Sequence, residues 1–146
     1  MVHDELLKGD PLSGVVRAAL EVHRALGPGL DPSFYHRALE LEFEERGLRF
    51  WRDVTVDLTY KGRRLGRSRI PIVADGVLVG IRVGPMISAG DVALMAAQAK
   101  AMRCCGILFN FGGERLELRR VRPFTAPTSA TLTESDRRAA RKESSR

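Results

Sequence analysis

Cysteine and long hydrophobic runs are scarce in this sequence, and their scarcity excludes several classes of protein. The two cysteines among 146 residues are adjacent, at Cys104 and Cys105, so they cannot form a disulfide framework. This usage is typical of a reducing compartment, and we expect a cytoplasmic protein. No apolar run approaches the roughly 20 residues of a membrane helix, and residues 1–10 are too polar for a signal peptide, so we expect no membrane partner.

What remains is an ordinary globular composition with a modest positive charge. Hydrophobic residues make up 44% of the chain and charged residues 29%, and the length suits one domain, which we place at residues 1–122. Residues 123–146 are polar and basic, and we expect a disordered tail there, apart from a short helix near 134–142. Lysine and arginine total 24 against 18 acidic residues, and the resulting net charge of +6 suits an anionic partner without requiring one.

Hydrophobic periodicity and turn residues predict an α+β domain. Helices are expected to begin at Asp10-Pro11, at Asp31-Pro32 and at Asp91, where each aspartate is a candidate helix cap. The segments between and after these helices alternate or run apolar, which predicts one extended strand region over 48–51 and 54–60 and further strands at 69–74, 77–83, 107–111 and 115–121.

The Asp75-Gly76 pair is the strongest hairpin signal in the chain. The predicted strands on either side of it, 69–74 and 77–83, are almost continuously apolar, which is typical of strands buried on both faces. We therefore expect this hairpin near the centre of a mixed sheet of four or five strands flanked by helices, with the more polar strand 115–121 at an edge.

Three segments of the sequence resemble those of a known family. They are EVHRALGPGL at 21–30, YKGRRLG at 60–66 and GILFNFG at 106–112. In this order they resemble the GxxExxY protein family, a small bacterial branch of the PD-(D/E)XK nuclease superfamily, over about residues 4–121. The resemblance implies a restriction-endonuclease-like fold with its active site at the central hairpin, and Mg²⁺ as the metal of an active member.

The motif that names this family is incomplete here. Gly29 and Tyr35 match it, but Pro32 stands where the family has its glutamate. The neighbouring Asp31 is interpreted as a helix cap whose carboxylate accepts from its own backbone, and not as a replacement ligand.

The resemblance also implies a degenerate site on the hairpin. The first acidic position falls on Ile70 or Pro71, and the Glu-x-Lys positions are Gly80 and Arg82. None of these side chains supplies a carboxylate oxygen, and Arg82 keeps the proton that a lysine is able to release. We expect no catalytic residue, no bound metal and no cofactor.

Two polar residues on predicted helices have both a structural and a functional interpretation. Gln98 matches a glutamine of the family, and its amide could tie its helix to a strand or contact a phosphate or a base near the site. His23 lies on an apolar stripe, where a hydrogen-bonded core or boundary histidine is the commoner occurrence. His3 and His36 complete no metal-binding spacing.

The candidate binding residues are Tyr35, Gln98 and a set of arginines around the hairpin. Those arginines are Arg63, Arg64, Arg67, Arg69 and Arg82. A basic rim of this kind can grip phosphates. Acidic residues are interleaved with it, however, and a mixture of both signs is equally typical of a solvated surface.

Two functions follow from these observations. The first is a catalytically inactive nuclease-fold protein that acts as a binding or scaffolding module for a protein or nucleic-acid partner, with a homo-oligomer also possible. The alternative is a metal-dependent nuclease whose catalytic ligands are displaced or completed by a partner chain. Two carboxylates within about 5 Å of each other near Gly80 would favour the alternative, because they could share one cation at ligand distances of about 2.0–2.6 Å.

Overall fold

The protein is described by a computed structural model, which describes residues 12–127 and 134–144. Its helices and strands follow the order expected of an α+β domain. They are α1 (Ser13–Leu26), α2 (Pro32–Glu45), β1 (Phe50–Tyr60), β2 (Arg63–Ala74), β3 (Val77–Arg82), α3 (Ala89–Met102), β4 (Gly106–Asn110), β5 (Glu117–Val121) and α4 (Glu134–Ser144).

The five strands form one mixed sheet in the order β1-β2-β3-β4-β5. The β1–β2, β2–β3 and β4–β5 pairs are antiparallel, and the β3–β4 pair is parallel because α3 crosses over between the two strands. This confirms the predicted α+β class, with the β2–β3 hairpin in the interior of the sheet and β5 at an edge. The architecture is that of a restriction-endonuclease-like core.

Helices cover both faces of the sheet, as the apolar hairpin predicts. On one face α1 and α2 pack against side chains such as Val79 and Phe109, and we call this cluster the α1–α2 core. On the other face α3 packs against Leu78 and Leu108, and we call this cluster the α3 core. The alternation of neighbouring residues between the two clusters is the expected period of a strand buried on both sides.

The turn of the central hairpin agrees with the sequence, and the turn between β1 and β2 has the same form. Asp75 and Gly76 have φ values of +52° and +76°, and Lys61 and Gly62 have +50° and +76°. Positive φ at both central residues is the signature of the type I′ turn, which matches the twist of the strands it joins. The Asp75 carboxylate is therefore part of a tight turn at the end of the hairpin, as interpreted from the sequence.

Helix starts are partly as predicted. Asp31 caps α2, since its carboxylate accepts from the Ser33 backbone N–H at 3.0 Å, and Pro32 opens the helix. The prediction that Asp91 is the cap of α3 is wrong by three residues. Ser88 is the cap, and Asp91 completes a capping box in which each side chain accepts from the other residue's backbone. The predicted cap at Asp10-Pro11 lies outside the described residues.

The central hairpin opens beyond Pro71. β2 pairs with β3 only from Ile72↔Val79 to Ala74↔Val77, because a proline has no N–H with which to continue the ladder. The preceding part of β2 pairs with β1 alone, and the two-stranded segment diverges from β3. A cleft therefore forms between the two strands of the hairpin.

The β1–β2 pair also changes face at this level. Ile72 packs in the α1–α2 core, whereas Ile70, only two residues away, packs in the α3 core. In a regular strand these residues would share a face. Asp53, which lies opposite Pro71 in the register, has a left-handed φ of +51°, and this irregularity accounts for the change.

The chain stays in contact with the domain just beyond β5. The Phe124 backbone N–H donates to the Ala96 carbonyl of α3 at 3.0 Å, and Lys100 lies over the Phe124 ring. The short helix predicted in the tail is present as α4. Among the described residues no helix has the length and hydropathy needed to cross a bilayer.

Candidate functional site

The cleft in the hairpin brings together most of the candidate residues of the central strands. It is a cavity of about 160 Å³ whose lining includes Arg69, Pro71, Gly80, Arg82 and Gln98. The remaining lining residues are His36, Ile70, Val79, Ile81, Leu94 and Met95. The resemblance therefore located one real cavity, although its residues come from β2, β3 and α3.

A second cavity continues the first along β1. It measures about 270 Å³ and shares His36, Arg69 and Pro71 with the first. Its other lining residues are Ser33, Glu40, Arg52 and Asp53. We call the two cavities together the hairpin groove, and distinguish them as the Gly80 cavity and the Asp53 cavity.

A side chain at position 80 would meet two side chains of the α3 core. A Cβ atom on Gly80 would lie 2.5 Å from Leu108 Cδ2 and 2.9 Å from Met95 Cε. Real Cβ atoms do not approach other heavy atoms this closely, so any side chain here requires the ends of both neighbours to move. The α3 core thus occupies the space beside the position to which the resemblance assigns a glutamate.

Two other positions that the resemblance assigns to the site are also occupied by structural residues. Pro71 lines both cavities and ends the β2–β3 ladder. Pro32 is the first residue of α2 and lines neither cavity. The adjacent Ser33 does line the Asp53 cavity, and its hydroxyl donates to the capping Asp31 carboxylate at 2.6 Å.

Arg82 is held in place by the first turn of α3. Its Nε donates to Asp91 Oδ1 at 2.7 Å, and its Nη1 donates to the Ile81 carbonyl at 2.8 Å. The hydrogen bond from Arg82 is the main reason that the pKa of Asp91 lies below its usual range. Arg82 therefore joins β3 to the capping box of α3.

Arg69 has a similar arrangement with β1. Its Nε donates to Asp53 Oδ1 at 2.7 Å, and Nη2 donates to the same oxygen. Both side chains are largely exposed, so this ion pair orients the guanidinium more than it stabilises the fold.

The hydrogen bonds of Gln98 agree with its structural interpretation, in which the amide ties its helix to a strand. Its Nε2 donates to Ser68 Oγ at 2.8 Å and to the Arg69 carbonyl at 3.3 Å. These groups lie on the part of β2 that has lost β3 as a neighbour. The amide thus supplies hydrogen bonds where the sheet opens, and it ties α3 to β2.

The remaining candidate arginines lie outside the groove. Arg63, Arg64 and Arg67 are exposed near the far end of the β1–β2 pair and line neither cavity of the groove. Arg64 and Arg67 share one carboxylate, Asp57, at 3.4 Å each. The structure therefore divides the candidate arginines into two groups. One group lines the groove, and the other lies at the far end of the β1–β2 pair, which we call the distal hairpin.

Tyr35 lies in the core and has no exposed surface. Its ring stacks on Phe111 at 4.3 Å, and its hydroxyl donates to the Gly27 carbonyl at 2.6 Å while accepting from the Leu30 N–H. The tyrosine of the name motif thus fixes the loop between α1 and α2.

The first and third family-like segments contact each other. The Gly29 N–H donates to the Phe111 carbonyl at 3.0 Å, and the His23 ring bonds to the Gly113 carbonyl at 2.9 Å. His23 is accordingly a hydrogen-bonded boundary residue, as interpreted from the sequence. The two segments thus pack against each other, and no residue of either segment lines a cavity of the groove.

Asn110, in the third segment, is a buried hydrogen-bonding centre. Its Oδ1 accepts from the Gly84 and Gly112 N–H groups, and its Nδ2 donates to the Gly84 carbonyl and to Glu117 Oε1, all at 3.0 Å. The same Glu117 oxygen accepts from the Ile87 N–H at 2.9 Å. This network holds the loop that follows β3 against β4 and β5.

Sequence reasoning missed His36. It faces the groove from α2, lines both cavities and is half-buried. Desolvation lowers its pKa, and the nearby charges act in both directions: Glu40 and Asp53 raise the pKa, while Arg69 and Arg82 lower it. No spacing in the sequence marks this residue, because its neighbours in the groove come from other elements.

The donor set does not suit a divalent cation. No aspartate or glutamate is among the described residues that line the Gly80 cavity. No group of three His, Cys, Asp or Glu side chains in the described part of the chain could hold a metal ion. In the Asp53 cavity both carboxylates are ion-paired, Glu40 with Arg37 and Arg52, and Asp53 with Arg69.

Comparison with known proteins gives one match. Residues 10–121 match a family model described as the PD-(D/E)XK nuclease superfamily. No curated protein and no solved structure matches the chain.

Proposed function

The chain belongs to the PD-(D/E)XK nuclease superfamily, and from this premise we propose that it is a catalytically inactive member of the GxxExxY branch that serves as a binding or scaffolding module. Its partner would be a protein or a nucleic acid. The two free thiols, Cys104 and Cys105, are compatible with a cytoplasmic setting.

One observation carries this proposal. Met95 and Leu108 fill the space that a side chain at Gly80 would need, while Pro71 stands at the neighbouring acidic position. A nuclease of this superfamily requires carboxylate oxygens to hold the cation that lowers the pKa of the attacking water. The residues present here do not fit that cation, so we assign no catalytic step to the chain.

Within the hairpin groove, the Asp53 cavity is the part that favours the alternative, a nuclease with displaced ligands. Glu40, Asp53 and His36 all line it, and these are metal-ligating residue types. Their arginine partners compete with a cation for the same oxygens, however, which supports the inactive assignment. Completion of the site by a partner chain is the other form of this alternative.

We predict that Mg²⁺ or Mn²⁺ produces no saturable heat in calorimetry and no rise in melting temperature. A ligand that binds only the native state must stabilise it, so the melting temperature is a direct check. Chelator-treated protein is the reference for both measurements.

Metal-dependent cutting of nucleic acid by the purified chain would contradict the proposal. If such cutting occurred, Glu40→Gln and Asp53→Asn would test whether the displaced carboxylates carry it. Glu42→Gln is the matched control, because Glu42 also lies on α2 and pairs with an arginine but lines neither cavity.

We also predict weak, sequence-independent binding to nucleic acid by the arginines around the hairpin. The dissociation constant is expected in roughly the 10⁻⁶–10⁻⁴ M range at physiological salt, with a steep loss of affinity as salt rises. Replacing Arg63, Arg64 and Arg67 together by alanine is expected to weaken binding and to lower the salt slope by up to about 0.9 per lost phosphate contact.

A fluorescence titration with a labelled oligonucleotide measures both quantities. Arg24→Ala is the control, because Arg24 is an exposed, ion-paired arginine on α1, outside the hairpin. Absence of binding at low salt, or binding indifferent to salt, would remove nucleic acid and leave a protein partner, a second copy included.

A further inference from the structure

The ionisable residues that line the Gly80 cavity are not those of a cation site. They are His36, Arg69 and Arg82, and none of them is acidic. They come from α2, β2 and β3, so the opening of the hairpin is what brings them together. The carboxylates that pair with the two arginines, Asp53 and Asp91, do not line this cavity, so an anion in it would meet the guanidinium groups and no carboxylate.

We infer that the Gly80 cavity binds a single tetrahedral oxyanion, a phosphate or sulfate group, between Arg69, Arg82 and His36. This inference rests on the proposed function, because one set of lining residues cannot bind both an anion and a catalytic cation. The ligand would occupy the part of the fold where an active relative holds its metal.

Both guanidinium groups are oriented from one side and keep donors on the other. Arg82 uses Nε and Nη1, and its Nη2 has no hydrogen-bond partner among the described residues. Arg69 uses Nε and Nη2 on Asp53, and its Nη1 is likewise without a partner in the described part of the chain. Carboxylates behind an arginine that hold it in one orientation reduce the entropy lost when it binds an anion.

His36 adds a donor whose charge depends on pH. Its ring makes no hydrogen bond within residues 12–127 and 134–144, although it is half-buried and lines the cavity. The charged groups that act on it are Glu40 of α2, Asp53 of β1, Arg69 of β2 and Arg82 of β3. Desolvation is the main reason that its pKa lies below the usual histidine value, so the ring gains its proton at a lower pH than an exposed histidine does.

The size of the cavity indicates a small group. At about 160 Å³ it is well below the roughly 300–1,000 Å³ of pockets that enclose a drug-sized molecule. A single oxyanion is in keeping with this volume, whereas a nucleoside would need the Asp53 cavity as well. The terminal phosphate of a nucleic acid and a free inorganic ion present the same chemistry to these residues.

Sulfate is the probe for the first test, because its charge is constant between pH 5 and 8 while that of phosphate is not. Sulfate is expected to raise the melting temperature saturably and to bind more tightly as the pH falls through the pKa of His36. Arg69→Met is expected to weaken sulfate about tenfold, the loss typical of one charge-assisted hydrogen bond. His36→Gln is expected to flatten the pH dependence.

Arg24→Met is the matched control, since Arg24 is also an exposed arginine held by a carboxylate. Sulfate stabilises many proteins by exclusion from their surface, and that effect would be the same in all variants. An equal rise in melting temperature for Arg69→Met and the parent protein would therefore overturn the inference, as would affinity that is independent of pH.

The source of the anion is tested with 5′-phosphorylated and unphosphorylated oligonucleotides. Tighter binding of the phosphorylated strand, lost in Arg69→Met, supports a nucleic-acid terminus, and equal binding together with saturable sulfate supports the free ion. A Mg²⁺ titration separates the two proposals. Failure of sulfate without any response to Mg²⁺ refutes only the anion site, whereas stabilisation by Mg²⁺ refutes the inactive assignment itself.

Discussion

Gly80→Glu is expected to lower the free energy of unfolding by about 1–3 kcal/mol, which is the usual cost of overpacking a core. The new Cβ would start 2.5 Å from Leu108 Cδ2, and Leu108 has no exposed surface into which to move. Urea denaturation monitored by circular dichroism measures the change.

Gly66→Glu is the matched control for this substitution. Gly66 is also a strand glycine, on β2, but nothing lies within 4 Å of a Cβ placed on it. Its replacement is expected to change stability by about 0.5 kcal/mol, as for an ordinary surface substitution. If both variants were equally stable, position 80 would have room for a carboxylate, and the main support for an inactive site would be lost.

The same contacts bear on any attempt to restore a nuclease. The substitutions Pro32→Glu, Pro71→Asp, Gly80→Glu and Arg82→Lys would return the side chains that the resemblance implies. They would not return the space, because Met95 and Leu108 still occupy it. We expect metal binding from such a variant only if these two residues are shortened as well.

Asn110→Leu is expected to lower the free energy of unfolding by about 3 kcal/mol. The substitution keeps the approximate volume but removes partners from the Gly84 N–H and carbonyl and from the Gly112 N–H. Each buried polar group left unpaired costs about 1–3 kcal/mol. The backbone has little room to move and so recover these hydrogen bonds. A Cβ on Gly112 would lie 2.1 Å from the Gly84 carbonyl oxygen, so the two segments pass very close to each other.

Glu117→Gln is the control for the network. An amide oxygen at this position still accepts from the Ile87 N–H and from Asn110, so we expect a change of about 0.5 kcal/mol or less. Thermal and urea denaturation of both variants provide the comparison. If Asn110→Leu lowered the free energy of unfolding by less than about 1 kcal/mol, water would be replacing the hydrogen bonds of the amide. The stability of the protein would then not depend on Asn110.

Local sequence signals predicted most of the elements because their causes are local. Asp31-Pro32 starts α2, Asp75-Gly76 turns the hairpin, and the apolar runs beside that turn are buried on both faces. The start of α3 was misplaced because two capping residues compete there, and only the backbone decides between Ser88 and Asp91.

The candidate site was predictable only in part. The resemblance placed Pro71, Gly80, Arg82 and Gln98 near one another, and they line one cavity. It could not distinguish the arginines of the groove from those of the distal hairpin, because their acidic partners lie on another strand. Asp57 of β1 pairs with Arg64 and Arg67, whereas Asp53 of β1 pairs with Arg69. His36 was missed for a related reason, because its role depends on the residues that face it from β1, β2 and β3.

The sequence by itself determined the order of the elements, the interior position of the β2–β3 hairpin and the residue types at the positions that the resemblance assigns to a site. These features depend on periodicity, turn residues and residue identity, which are all properties of the chain read in order. Only the tertiary structure decided that the hairpin opens at Pro71, that Met95 and Leu108 fill the space beside Gly80, and that His36 lies with Arg69 and Arg82. Those outcomes depend on the packing of side chains that are far apart in the sequence. Such packing produces no periodic pattern from which it could be predicted.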